Sequence, residues 1–330
     1  WAFHAGMNRA GCPPEQKVWK PSMPIHDTSP TPTPALLDVV RRQFRRRARH
    51  AEILVRRAFG LTESEARLAR DAQAYWSDVA NDNLAGHAHW RGTGSFTDDE
   101  RWQALGRAQL EIFDRLAPAA GLAPGGPLGR VLDWGCGGGM NAIQFAPRAG
   151  GGYVGVDVAR PTLDRCADQM DTIGLGSTFI PVLLEVVRPE AVLDRVPAGS
   201  CDLFLCLHVF ELFPTPEYGL RVLGLAHAML REGGAAFVQI RFDRGSVRTA
   251  PRRWGYARNL AGNTTYRAEA FWEAAQGLGF IPQAAFFLPE QPLNRQSNYA
   301  YFLMTKGLLG SAPTRSGADA REGGETGQAV

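Results

Sequence analysis

From residue 130 onward, short apolar runs alternate with stretches of helical periodicity, and few architectures accommodate that alternation. The runs predict strands near 130–134, 153–157, 178–183, 202–207 and 235–240, with helices beginning near 139, 161, 188 and 216. Strands that take turns with helices in this way imply a parallel sheet covered on both faces. A long arginine-rich loop follows the fifth strand, then a helix at about 266–277. Two more apolar runs, FIPQAAFFL and YAYFLM, predict two closing strands.

The chain upstream is different in character. Leu37, Val40, Phe44, Ala48, Ala51, Val55 and Phe59 recur at intervals of three and four, and Gly60 is placed to stop the amphipathic helix they predict. TESEARLARDAQAYW opens with a capping box, Thr62 with Glu65, and predicts a second helix. A third is expected from about Asp98 to Leu116. The expected organisation is a disordered leader over 1–34, a helical lid region over 35–124, a sheet domain over 125–307 and a disordered tail over 308–330.

Composition, 45% hydrophobic and 21% charged, is that of a globular chain. No run approaches the ~18 apolar residues of a membrane span, and no apolar stretch near the start has signal-peptide length. A cytoplasmic protein is the expectation. Five cysteines without a C-x-x-C pair fit a reduced compartment and predict no metal site. A net charge of +3 is too small to indicate a nucleic-acid partner.

The first predicted strand runs into RVLDWGCGGGMNAIQF, residues 130–145. Strand, glycine turn and helix form the nucleotide-binding unit, where glycines let backbone approach a ligand and the helix start favours negative charge. The dinucleotide fingerprint fails, because its third glycine would fall on Met140. The phosphate loop G-x-x-x-x-G-K-[ST] fails for want of a lysine. The residues do fit D-x-G-x-G-x-G, as Asp133, Gly135, Gly137 and Gly139.

With that motif the sequence resembles the class I methyltransferases that use S-adenosylmethionine, over roughly residues 129–305. The resemblance implies a Rossmann-like seven-stranded, mostly parallel α/β sheet with an antiparallel last strand and a helical N-terminal extension. It also accounts for an acid at the mouth of a glycine loop. S-adenosylmethionine has no phosphate, and its ammonium and sulfonium can meet Asp133 while backbone amides meet its carboxylate. Asp157, at the tip of the second strand in YVGVDVA, matches the family residue that grips both ribose hydroxyls. The bland alternative makes GCGGG a tight turn and Asp157 a helix cap.

Ligands of open α/β sheets bind beyond the carboxyl ends of the strands, so His208 and Glu211, just past the fourth strand, are expected near cofactor or acceptor. His208 is a candidate base for the acceptor's proton, or else a loop histidine that hydrogen-bonds backbone. Leu207, His208 and Val209 stand where DNA base methyltransferases of the family carry [N/D]-P-P-[Y/F] or Pro-Cys, which disfavours nucleic acid. A small-molecule acceptor remains, anionic, sugar or lipid-like. Glu185 is a candidate adenine-binding acid. Arg241, Arg244, Arg248, Arg252, Arg253 and Arg258, with Trp254 and Tyr256, are expected either to bind an anionic acceptor or to form a solvated basic loop.

Tyr75, Trp76 and Trp90 are the lid aromatics expected above the acceptor, with His87, His89 and Arg91 in the same loop. Six arginines, Arg41, Arg42, Arg45, Arg46, Arg47 and Arg49, crowd the first helix. Such a helix either packs its apolar stripe on the domain or lies on an anionic membrane surface or acidic partner. A non-catalytic cofactor-binding protein that docks through this helix is the rival to an enzyme, and an aminopropyl transferase would want an acid at His208.

Overall fold

The computed structural model describes residues 36–78, 99–247, 249–260, 263–290 and 297–307. The leader, the tail, Arg248 and the loop with His87, His89, Trp90 and Arg91 lie outside the described residues. The chain divides into two compact units, 1–49 and 50–330. In the first, the described residues are the beginning of helix α1 (Leu36–Ala58). No helix among the described residues is long and apolar enough to cross a membrane.

The second unit is built on a seven-stranded sheet: β1 (Val131–Trp134), β2 (Tyr153–Asp157), β3 (Phe179–Leu183), β4 (Cys201–Cys206), β5 (Leu230–Arg241), β6 (Phe280–Glu290) and β7 (Ser297–Lys306). Their order is β3-β2-β1-β4-β5-β7-β6. The first five are parallel, and β7 runs antiparallel between β5 and β6. The seven-stranded, mostly parallel α/β expectation and its antiparallel last strand hold.

Alternation along the strands sorts the core into two layers. Leu132, Trp134, Val154, Phe204, Ala236 and Phe302 face α2 (Glu65–Ser77), α6 (Pro216–Met229) and α8 (Ala268–Gly277). Val131, Tyr153, Leu205, Phe237 and Tyr301 face α3 (Asp99–Leu116), α4 (Ala142–Phe145) and α5 (Arg160–Thr172). Burial on both faces explains why the central strands read as continuous apolar runs.

Local chemistry moves some expected boundaries. Gly60, at φ 61°, follows the end of α1 in the left-handed conformation a helix stop needs. The cap of α2 is Ser64, whose side chain accepts from the Arg67 N–H, not Thr62. Glu65 is instead drawn across to α6, accepting from Thr215 Oγ1 at 2.6 Å and Arg221 Nη1 at 2.5 Å. The helix expected near 139 is the single turn α4, because Pro147 follows in a 3-10 turn over Ala146–Arg148. The segment expected as a helix near 188 is a 3-10 turn, Pro189–Asp194. The arginine-rich loop holds one more helical turn, α7 (Tyr256–Asn259).

Candidate active site

The glycine turn leaves β1 with Gly135, Gly137 and Gly139 all at positive φ, 76°, 54° and 97°. Gly135 is fixed twice over, since a Cβ there would lie 2.4 Å from Val209 Cγ2 as well as strain the backbone. The turn is tied to the neighbouring strand. Gly135 and Cys136 N–H groups donate to Val156 O, and Gly137 N–H donates to Asp157 Oδ2 at 3.0 Å. Asp157 Oδ1 accepts from Val158 N–H at 2.8 Å and Ala159 N–H at 3.2 Å. Three backbone donors thus orient one carboxylate at the tip of β2.

Asp133 has a different setting. Strand alternation turns it, with Val131, to the face opposite Leu132 and Trp134, and it is fully buried. Tyr153 Oη donates to its Oδ2 at 2.8 Å, while Oδ1 has no partner. Burial raises its pKa to about 7, against the Tyr153 hydrogen bond, and Asp157 adds a further upward push. Burial likewise pushes the Tyr153 hydroxyl well up, with the adjacent Asp133 adding to it. The Cys136 thiol, beside Cys166 in the same layer, is held up by their mutual hydrogen bond and by burial.

Above the turn lies a cavity of about 1180 Å³, its open mouth included. Gly135, Gly137, Asp157 and His208 line it; Asp133, Gly139 and Glu211 do not. Asp133 sits beneath the glycine turn and is not among the residues that line the cavity. Gly139 is used for packing, since a Cβ there would lie 3.3 Å from Cys166 Sγ and Gln169 Cβ. Glu211 is sealed behind His208, without exposure.

His208 takes φ 59°, a value a non-glycine residue holds only when its surroundings insist. Its N–H donates to Gln239 Oε1 at 2.7 Å. Its Nδ1 lies 3.4 Å from Gln239 Nε2 and 3.7 Å from Glu211 Oε1, and Tyr299 meets the imidazole edge-on. Tyr299 Oη donates to Glu211 Oε1 at 3.1 Å. Two buried atoms have no partner, His208 Nε2 and Glu211 Oε2. Gln239 and Tyr299 were not singled out from sequence, although a glutamine inside AAFVQI is the signal such a residue leaves.

The remaining expectations divide. Trp76 lines the cavity, and its Nε1 donates to Tyr256 Oη at 2.7 Å; Tyr256 Oη in turn donates to Leu212 O at 2.5 Å. Tyr75 packs edge-on to Trp76 outside the lining. Glu185 points away, paired with Arg188 at 3.0 Å, while its buried neighbours Leu184 and Val186 line the wall. None of Arg241, Arg244, Arg252, Arg253 and Arg258 lines the cavity. Arg244 lies over Phe242, Arg253 pairs with Glu217, and Arg258 pairs with Glu52.

An open sheet in this order, a glycine turn after β1 and a strand-end acid bound to that turn define a Rossmann-like methyltransferase domain. The family model described as "Methyltransferase domain" matches residues 104–283, more than half the chain. The chain belongs to that family, the class I S-adenosylmethionine-dependent methyltransferases; it is an enzyme, and S-adenosylmethionine is its cofactor. No curated protein matches the sequence. Among solved structures it is similar to the (4+2) cyclase SpnF, 16% identical over 75% of this chain and 98% of that one, with a TM-score of 0.52. It is also similar to geranyl diphosphate C-methyltransferase from Streptomyces coelicolor A3(2), 14% identical over 72% of this chain and 97% of that one, with a TM-score of 0.48. At 16% identity the likeness to SpnF is one of fold.

Proposed function

We propose that the enzyme transfers a methyl group to a small-molecule acceptor whose proton is taken by His208. The observation that carries this is a cavity-lining imidazole whose buried Nε2 has no partner and whose Nδ1 faces a fully buried carboxylate. The residues present fit the cofactor. Asp157 offers a pre-oriented carboxylate to a ribose diol, and the apolar Leu184 and Val186 beside it suit an adenine. Gly135 and Gly137 bring backbone close without side chains in the way, and Gly139 turns the chain beneath them. Asp133 lies below the turn, where a cationic ligand above would favour its charged form.

When bound, S-adenosylmethionine supplies a methyl group activated by its sulfonium, the C–S electron pair staying on sulfur as the acceptor's lone pair takes the methyl. His208 removes the proton that the acceptor must lose, and the imidazole carries it away as imidazolium. Glu211 Oε1, 3.7 Å from Nδ1, is too far for a hydrogen bond, but its charge favours the imidazolium that forms. Gln239 Nε2, at 3.4 Å, is the nearer partner of Nδ1 and must give way to Glu211 for Nδ1 to carry the proton that leaves Nε2 a base. Leu207, Val209 and Phe213 keep water from the reacting atoms.

Of the anionic, sugar and lipid-like acceptors, the lining favours the last, because no arginine or lysine among the described residues lines the cavity. The test is a calorimetric titration with S-adenosylhomocysteine followed by labelled-methyl transfer to a panel of small acceptors. His208→Ala should retain S-adenosylhomocysteine affinity and lose on the order of 100- to 10,000-fold in transfer rate. Absence of heat with S-adenosylhomocysteine would overturn the site assignment, and undiminished transfer by His208→Ala would overturn the base.

A further inference from the structure

We infer that the β4–β5 side of the cavity is an acceptor subsite built for a neutral, apolar, ring-bearing molecule that presents one hydroxyl group. The inference rests on the cofactor reading above. Sheet order puts β2 and β3 on one side of β1, and β4 and β5 on the other. Asp157, Leu184 and Val186 belong to the first side; Leu212, Phe213, Pro214 and Tyr218 belong to the second, roofed by Trp76 and Tyr256. The lining runs continuously from Asp157 and Leu184 at one end to Phe213 and Tyr218 at the other, so a nucleoside held at the first end leaves the second to another molecule.

The polar groups of the second side decide the chemistry. Trp76 Nε1–H and Tyr256 Oη–H are both engaged in the chain that ends on Leu212 O, so these residues turn ring surface rather than donors to a ligand. Among the described residues what remains is the Tyr218 hydroxyl and His208 Nε2, the latter on a side chain more than nine-tenths buried. An anion would find no cation among the described residues of the lining, and a sugar would leave most of its hydroxyls unpaired, at a cost of about 1–3 kcal/mol for each buried group. An amine would enter as a cation and meet no carboxylate on that side, since Glu211 lies outside the lining. A hydroxyl on an apolar frame suits these walls, giving its proton to Nε2 and its oxygen lone pair to the methyl. The aromatic walls of Trp76, Phe213, Tyr218 and Tyr256 favour a ring.

The probes are 2-naphthol and 2-naphthoate, of equal ring size and opposite charge state, titrated calorimetrically into protein saturated with S-adenosylhomocysteine. The expected result is one naphthol bound per chain, at least tenfold more tightly than naphthoate. Trp76→Ala should weaken naphthol at least tenfold while S-adenosylhomocysteine affinity changes less than threefold, and Trp76→Phe, which keeps a ring, should recover most of the loss. Retained S-adenosylhomocysteine binding reports that each variant is folded. Naphthoate binding as tightly as naphthol, absence of naphthol binding, or indifference to residue 76 overturns this inference alone. A wild-type protein that gives no heat with S-adenosylhomocysteine overturns both this and the cofactor reading.

Discussion

Asp133 carries a carboxyl group sealed from water with one hydrogen-bond partner, and its pKa of about 7 makes it a liability of the cofactor-free protein. Its folded pKa lies above the unfolded value of 3.8, so between those values the folded state binds the extra proton. Unfolding free energy should therefore fall as pH rises from about 4 to 7, by a few kcal/mol and on the order of 4. Asp133→Asn keeps an acceptor for Tyr153 and should flatten that slope in denaturant titrations; parallel profiles for the two proteins would refute it. Asp157 has the opposite character, open to the cavity and oriented by three amides. Asp157→Ala should weaken S-adenosylhomocysteine binding by about 1.5 to 3 kcal/mol in calorimetry. His208 gives a third residue-level expectation. At φ 59° glycine is the better replacement, so His208→Gly should melt above His208→Ala, the reverse of the usual order, by about 1 kcal/mol in stability. Asp157 was legible because it ends a strand. The side on which Asp133 lies was not, because a strand buried on both faces shows no alternation to read.

Among the elements, α2 shows how a helix upstream of the sheet is fastened to it. Its first residue, Glu65, accepts from the cap of α6 and from Arg221, and Gln73 Oε1 in its middle accepts from Val186 N–H at 2.6 Å. Glu65→Ala should cost about 1 kcal/mol and raise hydrogen exchange along α2. Arg221→Ala should cost less, because that guanidinium is nearly half exposed and screened. Unchanged exchange in α2 after Glu65→Ala would show that apolar packing alone fastens it. Helix existence was legible from periodicity in α1 and from boundary signals in α2 and α3, and strand existence from the apolar runs. The cap of α2 was not, because TESE offers two overlapping candidates and a partner 150 residues away chooses between them. The arginine loop was open to two readings for a related reason. Arg253 and Arg258 are committed to acids far away in sequence, Glu217 and Glu52, and charge counts do not reveal such pairings.

At the scale of the whole molecule, the class of fold and the place of the glycine turn at the cavity followed from strand–helix alternation and one glycine motif. The acceptor side of the cavity did not, because α2, the turn after β4, α6 and α7 meet there only when the sheet is assembled. A ligand held by the folded state alone stabilises it by mass action. At a hundredfold excess over its Kd, S-adenosylhomocysteine should add about 2.7 kcal/mol to the unfolding free energy. Asp157→Ala at the same concentration should gain roughly 0.3 to 1.3 kcal/mol. Equal gains would separate the ligand from this cavity. The placement of β7 between β5 and β6 has a consequence during synthesis. β6 leaves the ribosome first yet has no neighbour to join until the strand made after it slots in. Until residues 297–306 emerge, the rim of β5 stands bare, and a nascent chain stalled there offers other chains an edge on which to aggregate.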